Sequence, residues 1–206
     1  SGVVAEAFRS LEVPFVDGIA LTGLEGMLQG GSPGPTVAVM GELDALQVPG
    51  HPRANPDTQA AHACGHNAQI AGLMGAAVGL QSAGIAEELA GNIVFLAVPA
   101  EEYVEIDYRL GLVREGKTSF LCGKQELIKL GHFDDVDMAV MIHTKSPARE
   151  DGTHGVGISS NGFQAKTVTI RGAYETSDTD ADGTTTSSST RAHVMLDEDG
   201  ELSRVG

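Results

Sequence analysis

Three apolar runs of strand length recur along the chain, and this recurrence most constrains its fold. The runs span residues 36–40 (TVAVM), 91–98 (GNIVFLAV) and 136–142 (VDMAVMI). The continuous apolar character of the first two predicts buried strands, the first covered on both faces, and the third run is also predicted to be a strand. Apolar residues at helical spacing over 68–83 separate the first two runs. This alternation predicts an α/β fold built on a mixed, partly parallel sheet.

Further elements are predicted on either side of these runs. Amphipathic spacing predicts helices, and short apolar stretches around a Thr-Gly turn predict two strands before the first run. Gly and Pro clusters predict loops. The helices are expected over 2–11, 103–116 and 124–130, the strands over 13–21 and 24–29, a later strand pair over 155–172, and loops over 30–35 and 49–59.

Acidic or imidazole side chains follow each of the three runs directly. Glu42 and Asp44 come after the first run, Glu101 and Glu102 after the second, and His143 after the third. Open α/β sheets place their binding sites just beyond the carboxyl ends of the strands. The sequence therefore predicts that these side chains converge on one site.

The segment 62–67 (HACGHN) adds a thiol and an imidazole, both of which are preferred ligands of zinc. Cys64 and His66 are two residues apart, so a turn can direct both at one centre. The candidate metal ligands are Cys64, His66, Glu102 and His143, with Glu101, Glu42 and Asp44 close by. Because neighbouring side chains on a strand end diverge, one glutamate can bind metal while the other exchanges protons with water and substrate.

Other interpretations of these residues stay open. Cys64 could be a buried thiol beside a helix cap, and the Glu101–Glu102 pair could favour the N-terminus of a helix. His143 could be a core histidine. A Cys-dependent hydrolase, with Cys64 as nucleophile and His66 as base, would leave the glutamates without a role.

Composition excludes several partners. The chain of 206 residues has a formal net charge of −15, which argues against nucleic acid and anionic membranes. It has no Trp, so a stacking platform for bases is not expected. Two cysteines do not make a disulfide framework, and residues 1–10 do not have the pattern of a signal peptide. A cytoplasmic location is expected.

The motifs resemble those of the dinuclear metal-dependent aminoacylase/carboxypeptidase-type amidohydrolases, in the branch of hippurate, indole-acetyl-amino-acid and p-aminobenzoyl-glutamate hydrolases. The matching segments occur in the family's order. They are GELDAL at 41–46, HACGHN at 62–67, PAEE at 99–102 and MIHT at 141–144. The resemblance covers about residues 1–172.

This resemblance implies a three-layer, zinc-peptidase-like catalytic domain that cleaves an amide bond of an N-acyl amino acid or small peptide-like substrate. It implies two divalent metal ions, zinc or manganese, and a homodimer. Its ligands would be Cys64, His66, Glu102 and His143, with Cys64 shared between the ions. Glu101 becomes the general base, and Asp44 orients a metal ligand without binding the metal itself.

The chain departs from the family after the predicted catalytic domain, residues 1–162. Residues 163–173 look like the first strand of the family's lid domain, and residues 174–206 form an acidic, Ser/Thr-rich tail. The family's late metal-binding histidine has no clear match, although His193 could be offered. We therefore expect only one metal ion to be well held. A truncated, non-catalytic relative that keeps the fold and part of the metal binding is the alternative.

Overall fold

The computed structural model describes residues 1–144 and four two-residue strands beyond them. The chain divides into two compact units, residues 1–150 and 151–206. The described elements of the first unit follow in chain order. They are α1 (Gly2–Ser10), β1 (Phe15–Ile19), β2 (Gly23–Gln29), β3 (Ser32–Glu42), β4 (Leu46–Gln47), β5 (Ala60–Ala61), α2 (His66–Ser82), a 3₁₀ turn (Ile85–Glu88), β6 (Ala90–Val98), α3 (Ile106–Arg114), α4 (Gly123–Lys129) and β7 (Met138–Met141).

Five of these strands form one mixed sheet in the order β1-β2-β6-β3-β7. Strand β3 runs parallel to both β6 and β7, whereas β2 pairs antiparallel with β6 and with β1. In the parallel part, Glu42 lies opposite Val98, and Met40 lies opposite Met141. The three apolar runs are thus neighbouring parallel strands, and their carboxyl ends meet at one edge. The predicted α/β fold with a mixed, partly parallel sheet is confirmed.

Helices cover both faces of the sheet, which gives three layers. Along β6, Phe95 and Ala97 face one side, where they join the core formed with α1 and α2. Val94, Leu96 and Val98 face the other side and pack with Leu127 of α4. This alternation follows from the two-residue period of a strand, so a continuous apolar run can serve two cores.

Two elements differ from their expected form. The loop predicted over 30–35 is wrong from Ser32 onward, because β3 already pairs with β6 there, and a register shift before Thr36 accommodates the Gly and Pro residues. Strand β7 is shorter than the run 136–142, and it is the outer strand among those described, so Met138 and Val140 are about half exposed. Within the described residues, no helix has the length and apolar character needed to cross a membrane.

In the second unit, the described strands form two antiparallel pairs. They are β8 (Asp178–Thr179) with β9 (Thr185–Thr186), and β10 (Met195–Leu196) with β11 (Leu202–Ser203). The strand pair predicted over 155–172 lies outside the described residues. So do the predicted boundaries at 162 and 173, and His193.

Candidate metal centre

The three parallel strands bring the predicted site residues to one edge of the sheet. Strand β3 ends at Glu42, and Asp44 follows two residues later. Strand β6 ends at Val98, just before Glu101 and Glu102, and β7 ends two residues before His143. Helix α3 begins only at Ile106, so the glutamate pair does not belong to a helix N-terminus. His143 is exposed, which removes its interpretation as a core histidine.

His66 is the central side chain of this edge. It is the first residue of α2, and only 1% of it is exposed. Its Nδ1 lies 3.0 Å from both the main-chain oxygen and Oδ1 of Asp44, and the hydrogen-bond geometry is met with the main-chain oxygen. A proton on Nδ1 is therefore held by Asp44, which leaves the lone pair of Nε2 available to a ligand.

Three carboxylates surround Nε2 of His66. Its distance is 3.0 Å to Oε2 of Glu42, 3.8 Å to Oε1 of Glu102 and 3.9 Å to Oε2 of Glu101. Nevertheless, neither Nε2 of His66 nor Oε2 of Glu42 has a hydrogen-bond partner, although both atoms are buried. Buried lone pairs that face one another without a donor are unfavourable, so this arrangement suits a bound cation.

Cys64 lies beside His143 and Glu102. Its Sγ is 3.6 Å from Nε2 of His143. The hydrogen bond with Glu102 is the main cause that raises the pKa of the Cys64 thiol to about 11, followed by burial and the charges of neighbouring glutamates. A nucleophilic cysteine needs the opposite shift, toward thiolate at neutral pH. The Cys-dependent hydrolase is therefore disfavoured, whereas a bound cation would stabilise the thiolate.

Gly65 allows the Cys64–His66 segment to approach the end of β7. Its φ of +106° is strained for a residue with a side chain. A Cβ at this position would lie 1.8 Å from Oγ1 of Thr144, whose hydroxyl donates to the main-chain oxygen of Cys64 at 3.2 Å. A glycine here lets the thiol and His143 come together.

Both glutamates reach Nε2 of His66 at nearly equal distances, and the ligand group at Glu42 and His66 includes Glu101 rather than Glu102, so their division into one ligand and one free acid stays a prediction. Glu102 contacts the thiol of Cys64, and its main-chain N–H donates to Oδ2 of Asp44 at 2.9 Å. Glu101 instead faces Glu42 and His66. Burial, followed by the charge of Glu42, raises the pKa of the Glu101 carboxyl.

Three residues that the sequence did not single out also build this edge. Lys124 of α4 forms an ion pair with Oε1 of Glu42, and Oε1 of Gln69 accepts from the main-chain N–H of Glu42 at 3.0 Å. Arg109 of α3 donates to the main-chain oxygen of Leu121 at 2.8 Å, with Nη2 3.9 Å from Oδ2 of Asp44. Of these three, only Gln69 could have been found from the sequence, because it lies one helical turn after His66 and so on the same face of the helix.

The described residues offer two overlapping ligand groups that suit a metal ion. Cys64, His66 and His143 present one ligand atom each within 4.8 Å of one another, and so do Glu42, His66 and Glu101. Thiolate, imidazole and carboxylate together suit zinc and similar divalent ions. Cys122, the other free cysteine, is buried, and burial raises the pKa of its thiol, so it packs as a small apolar residue.

Comparison with known proteins gives matches over most of the chain. Residues 38–202 match the profile of Peptidase family M20/M25/M40. Thermostable carboxypeptidase 1 of Saccharolobus solfataricus is 32% identical over 154 residues, which cover 71% of this chain and 34% of that protein. N-acetyl-L-cysteine deacetylase of Bacillus subtilis is 31% identical over 138 residues, which cover 66% of this chain and 28% of that protein.

A solved structure shares the fold. The crystal structure of the Bacillus subtilis YXEP protein, described as a dinuclear metal binding peptidase from the M20 family, matches with a TM-score of 0.54 and 24% identity. The match covers 70% of this chain and 36% of that one. The chain spans about a third of the length of the relatives it matches. The resemblance inferred from the motifs is confirmed, and the chain belongs to Peptidase family M20/M25/M40.

Proposed function

We propose that this chain carries the metal centre of an amidohydrolase that cleaves the amide bond of an N-acyl amino acid or a small peptide-like substrate. The observation that carries the proposal is the buried Nε2 of His66, which faces three carboxylates without a hydrogen-bond partner. The relatives named as a carboxypeptidase and an N-acetyl-L-cysteine deacetylase support this substrate class.

Cys64, His66, Glu102 and His143 would hold the metal. A zinc or manganese ion held there would polarise the scissile carbonyl and lower the pKa of its bound water to about 7. Two ions are proposed because the related YXEP structure is described as dinuclear. Since these four side chains are few ligands for two ions, we expect only one ion to be well held. A homodimer and a cytoplasmic location stay predictions.

The protein's own groups would carry the proton. Glu101 is about a quarter exposed and faces the centre beside the proposed ligands, so its carboxylate can take a proton from water and deliver it to the leaving nitrogen. Asp44 keeps the proton of His66 on Nδ1 and receives the main-chain N–H of Glu102, so it positions two ligands at once.

Replacing each glutamate separately by glutamine tests this division of roles. Glu101→Gln should retain metal and lose turnover by about 10²–10⁴-fold, because a positioned proton donor and acceptor contributes that much. Glu102→Gln should lose metal. Metal content and turnover of a panel of N-acyl amino acids are measured on both variants, with the exposed Glu115→Gln as control.

Different outcomes separate the proposals. Metal loss in Glu101→Gln with retention in Glu102→Gln would reverse the pair. A wild-type chain that binds no divalent ion would contradict the metal centre. The second candidate is a non-catalytic relative that keeps the fold and part of the metal binding. Metal binding without turnover of any substrate in the panel would support that candidate.

A further inference from the structure

Glu42 is a buried carboxylate for which the proposed function has no role. It is the last residue of β3, and 1% of it is exposed. Lys124 neutralises its Oε1, and Gln69 holds its main-chain N–H. Its second oxygen, Oε2, points to His66 and has no hydrogen-bond partner. A carboxylate is costly to bury, so an unpaired buried oxygen requires an explanation.

Glu42 and His66 face each other through two atoms that lack a proton to share. Their atoms Oε2 and Nε2 are 3.0 Å apart, and because the ring proton on Nδ1 is held by the main-chain oxygen of Asp44, Nε2 has none to donate. Two ligand atoms ~2.1 Å from one metal lie about 3.0 Å apart at a right angle and about 3.4 Å apart at the tetrahedral angle. The observed distance therefore fits two ligands of one ion.

We propose that Glu42 is a further metal ligand, which joins His66 at this centre, and that Lys124 neutralises its other carboxylate oxygen. The ion pair with Lys124 occupies Oε1, while Oε2 faces Nε2 of His66. This inference rests on the proposed function, because it assigns a ligand to the same centre. It also supplies one of the protein groups that two ions would need.

Metal titration of the full 206-residue chain tests this assignment. Chelator-treated wild type, Glu42→Gln, Cys64→Ser and the exposed control Glu115→Gln are titrated with Zn²⁺ against a chromophoric chelator. Glu42→Gln should weaken the tightest site by at least about tenfold, the lower limit for disturbing a metal site. Glu115→Gln should bind as the wild type does.

Lys124→Met supplies a readout that a purely structural role would not change. Without its ammonium group, the metal-free chain keeps an uncompensated buried carboxylate, which Zn²⁺ would then neutralise. The increase in Tm on adding Zn²⁺ should therefore be larger in Lys124→Met than in wild type. This readout also decides the matter if Glu42→Gln does not fold.

The outcomes separate this inference from the proposed function. If Cys64→Ser loses metal while Glu42→Gln binds normally, the centre stands and the assignment of Glu42 is overturned. An equal Tm increase in Lys124→Met and wild type also overturns it. If the wild type binds no Zn²⁺, the proposed function fails and the role of Glu42 fails with it.

Discussion

Asp44→Asn tests how the centre is held together. One oxygen of the Asp44 carboxylate lies 3.0 Å from Nδ1 of His66, and the other accepts the main-chain N–H of Glu102 at 2.9 Å. An Asn side chain has one oxygen and one NH₂ group. Whichever way the amide turns, its NH₂ group faces an N–H donor, either of His66 or of Glu102. The substitution therefore disturbs two proposed ligands without changing size.

The expected magnitude follows from these contacts. The hydrogen bond at risk is that of the Glu102 main-chain N–H to the charged Oδ2 of Asp44, since Oδ1 makes no hydrogen bond to His66. A hydrogen bond to a charged group contributes about 1.5–3 kcal/mol. Since 1.4 kcal/mol corresponds to a factor of ten, this loss weakens metal affinity by roughly tenfold to 150-fold. The main-chain oxygen of Asp44 also lies 3.0 Å from Nδ1 and survives the substitution. We therefore expect a value in the lower half of that range.

Calorimetric titration with Zn²⁺ measures the effect. Asp137→Asn is the matched control, because Oδ2 of Asp137 also accepts a main-chain N–H, that of Thr36 at 2.8 Å, well before the end of β3 that carries Glu42. The control can lose stability but should keep its metal affinity. A folded Asp44→Asn chain that binds Zn²⁺ as tightly as wild type would refute the positioning role of Asp44.

Two further predictions concern strain and charge at the same centre. Gly65→Ala should lower the free energy of unfolding by ~1–3 kcal/mol and weaken Zn²⁺ binding, because φ is +106° there and a Cβ would meet Thr144. Adding Thr144→Ala should relieve only the contact with Thr144 and not the φ strain. Full recovery of stability in the double variant would show that the φ strain is unimportant. Burial raises the pKa of Glu101, so the folded metal-free chain keeps the proton on this carboxyl to a higher pH than the unfolded chain does. The protonated carboxyl therefore contributes to stability at low pH, and this contribution is lost as pH rises through the raised pKa. Glu101→Gln cannot lose a proton, so it avoids this loss. In urea unfolding with chelator present, the free energy of unfolding of the variant relative to wild type should increase as pH rises and then become constant. A difference that does not change with pH would contradict this.

The sheet and the location of its site could be predicted because both depend on local patterns. Strand length and continuous apolar character identify the three strands, and parallel order follows from the helices between them. Parallel strands end at the same edge, so Glu42, Glu101 and His143 had to lie near one another once the strands were recognised. The turn that presents Cys64 beside His66 depends on Gly65, which the sequence displays directly.

Residues that reach the site from helices could not be predicted in this way. Lys124 pairs with Glu42 across 82 positions, and this contact depends on how α4 is rotated against the sheet. Gly123 permits that approach, since a Cβ there would lie 1.6 Å from the main-chain oxygen of Pro99. The late start of α3 likewise depends on the segment before it, in which Ala100 and Glu105 have φ near +50°. Neither residue type favours positive φ, so the sequence does not predict this conformation.

Metal stoichiometry of the purified chain tests the central claim most directly. Wild type, Cys64→Ser and His66→Ala are dialysed against Zn²⁺ or Mn²⁺, and bound metal per chain is measured by elemental analysis. The account predicts close to one firmly held ion in wild type, with a second held weakly, and a sharp loss in both variants. Equal metal content in all three chains, or none in wild type, would contradict it.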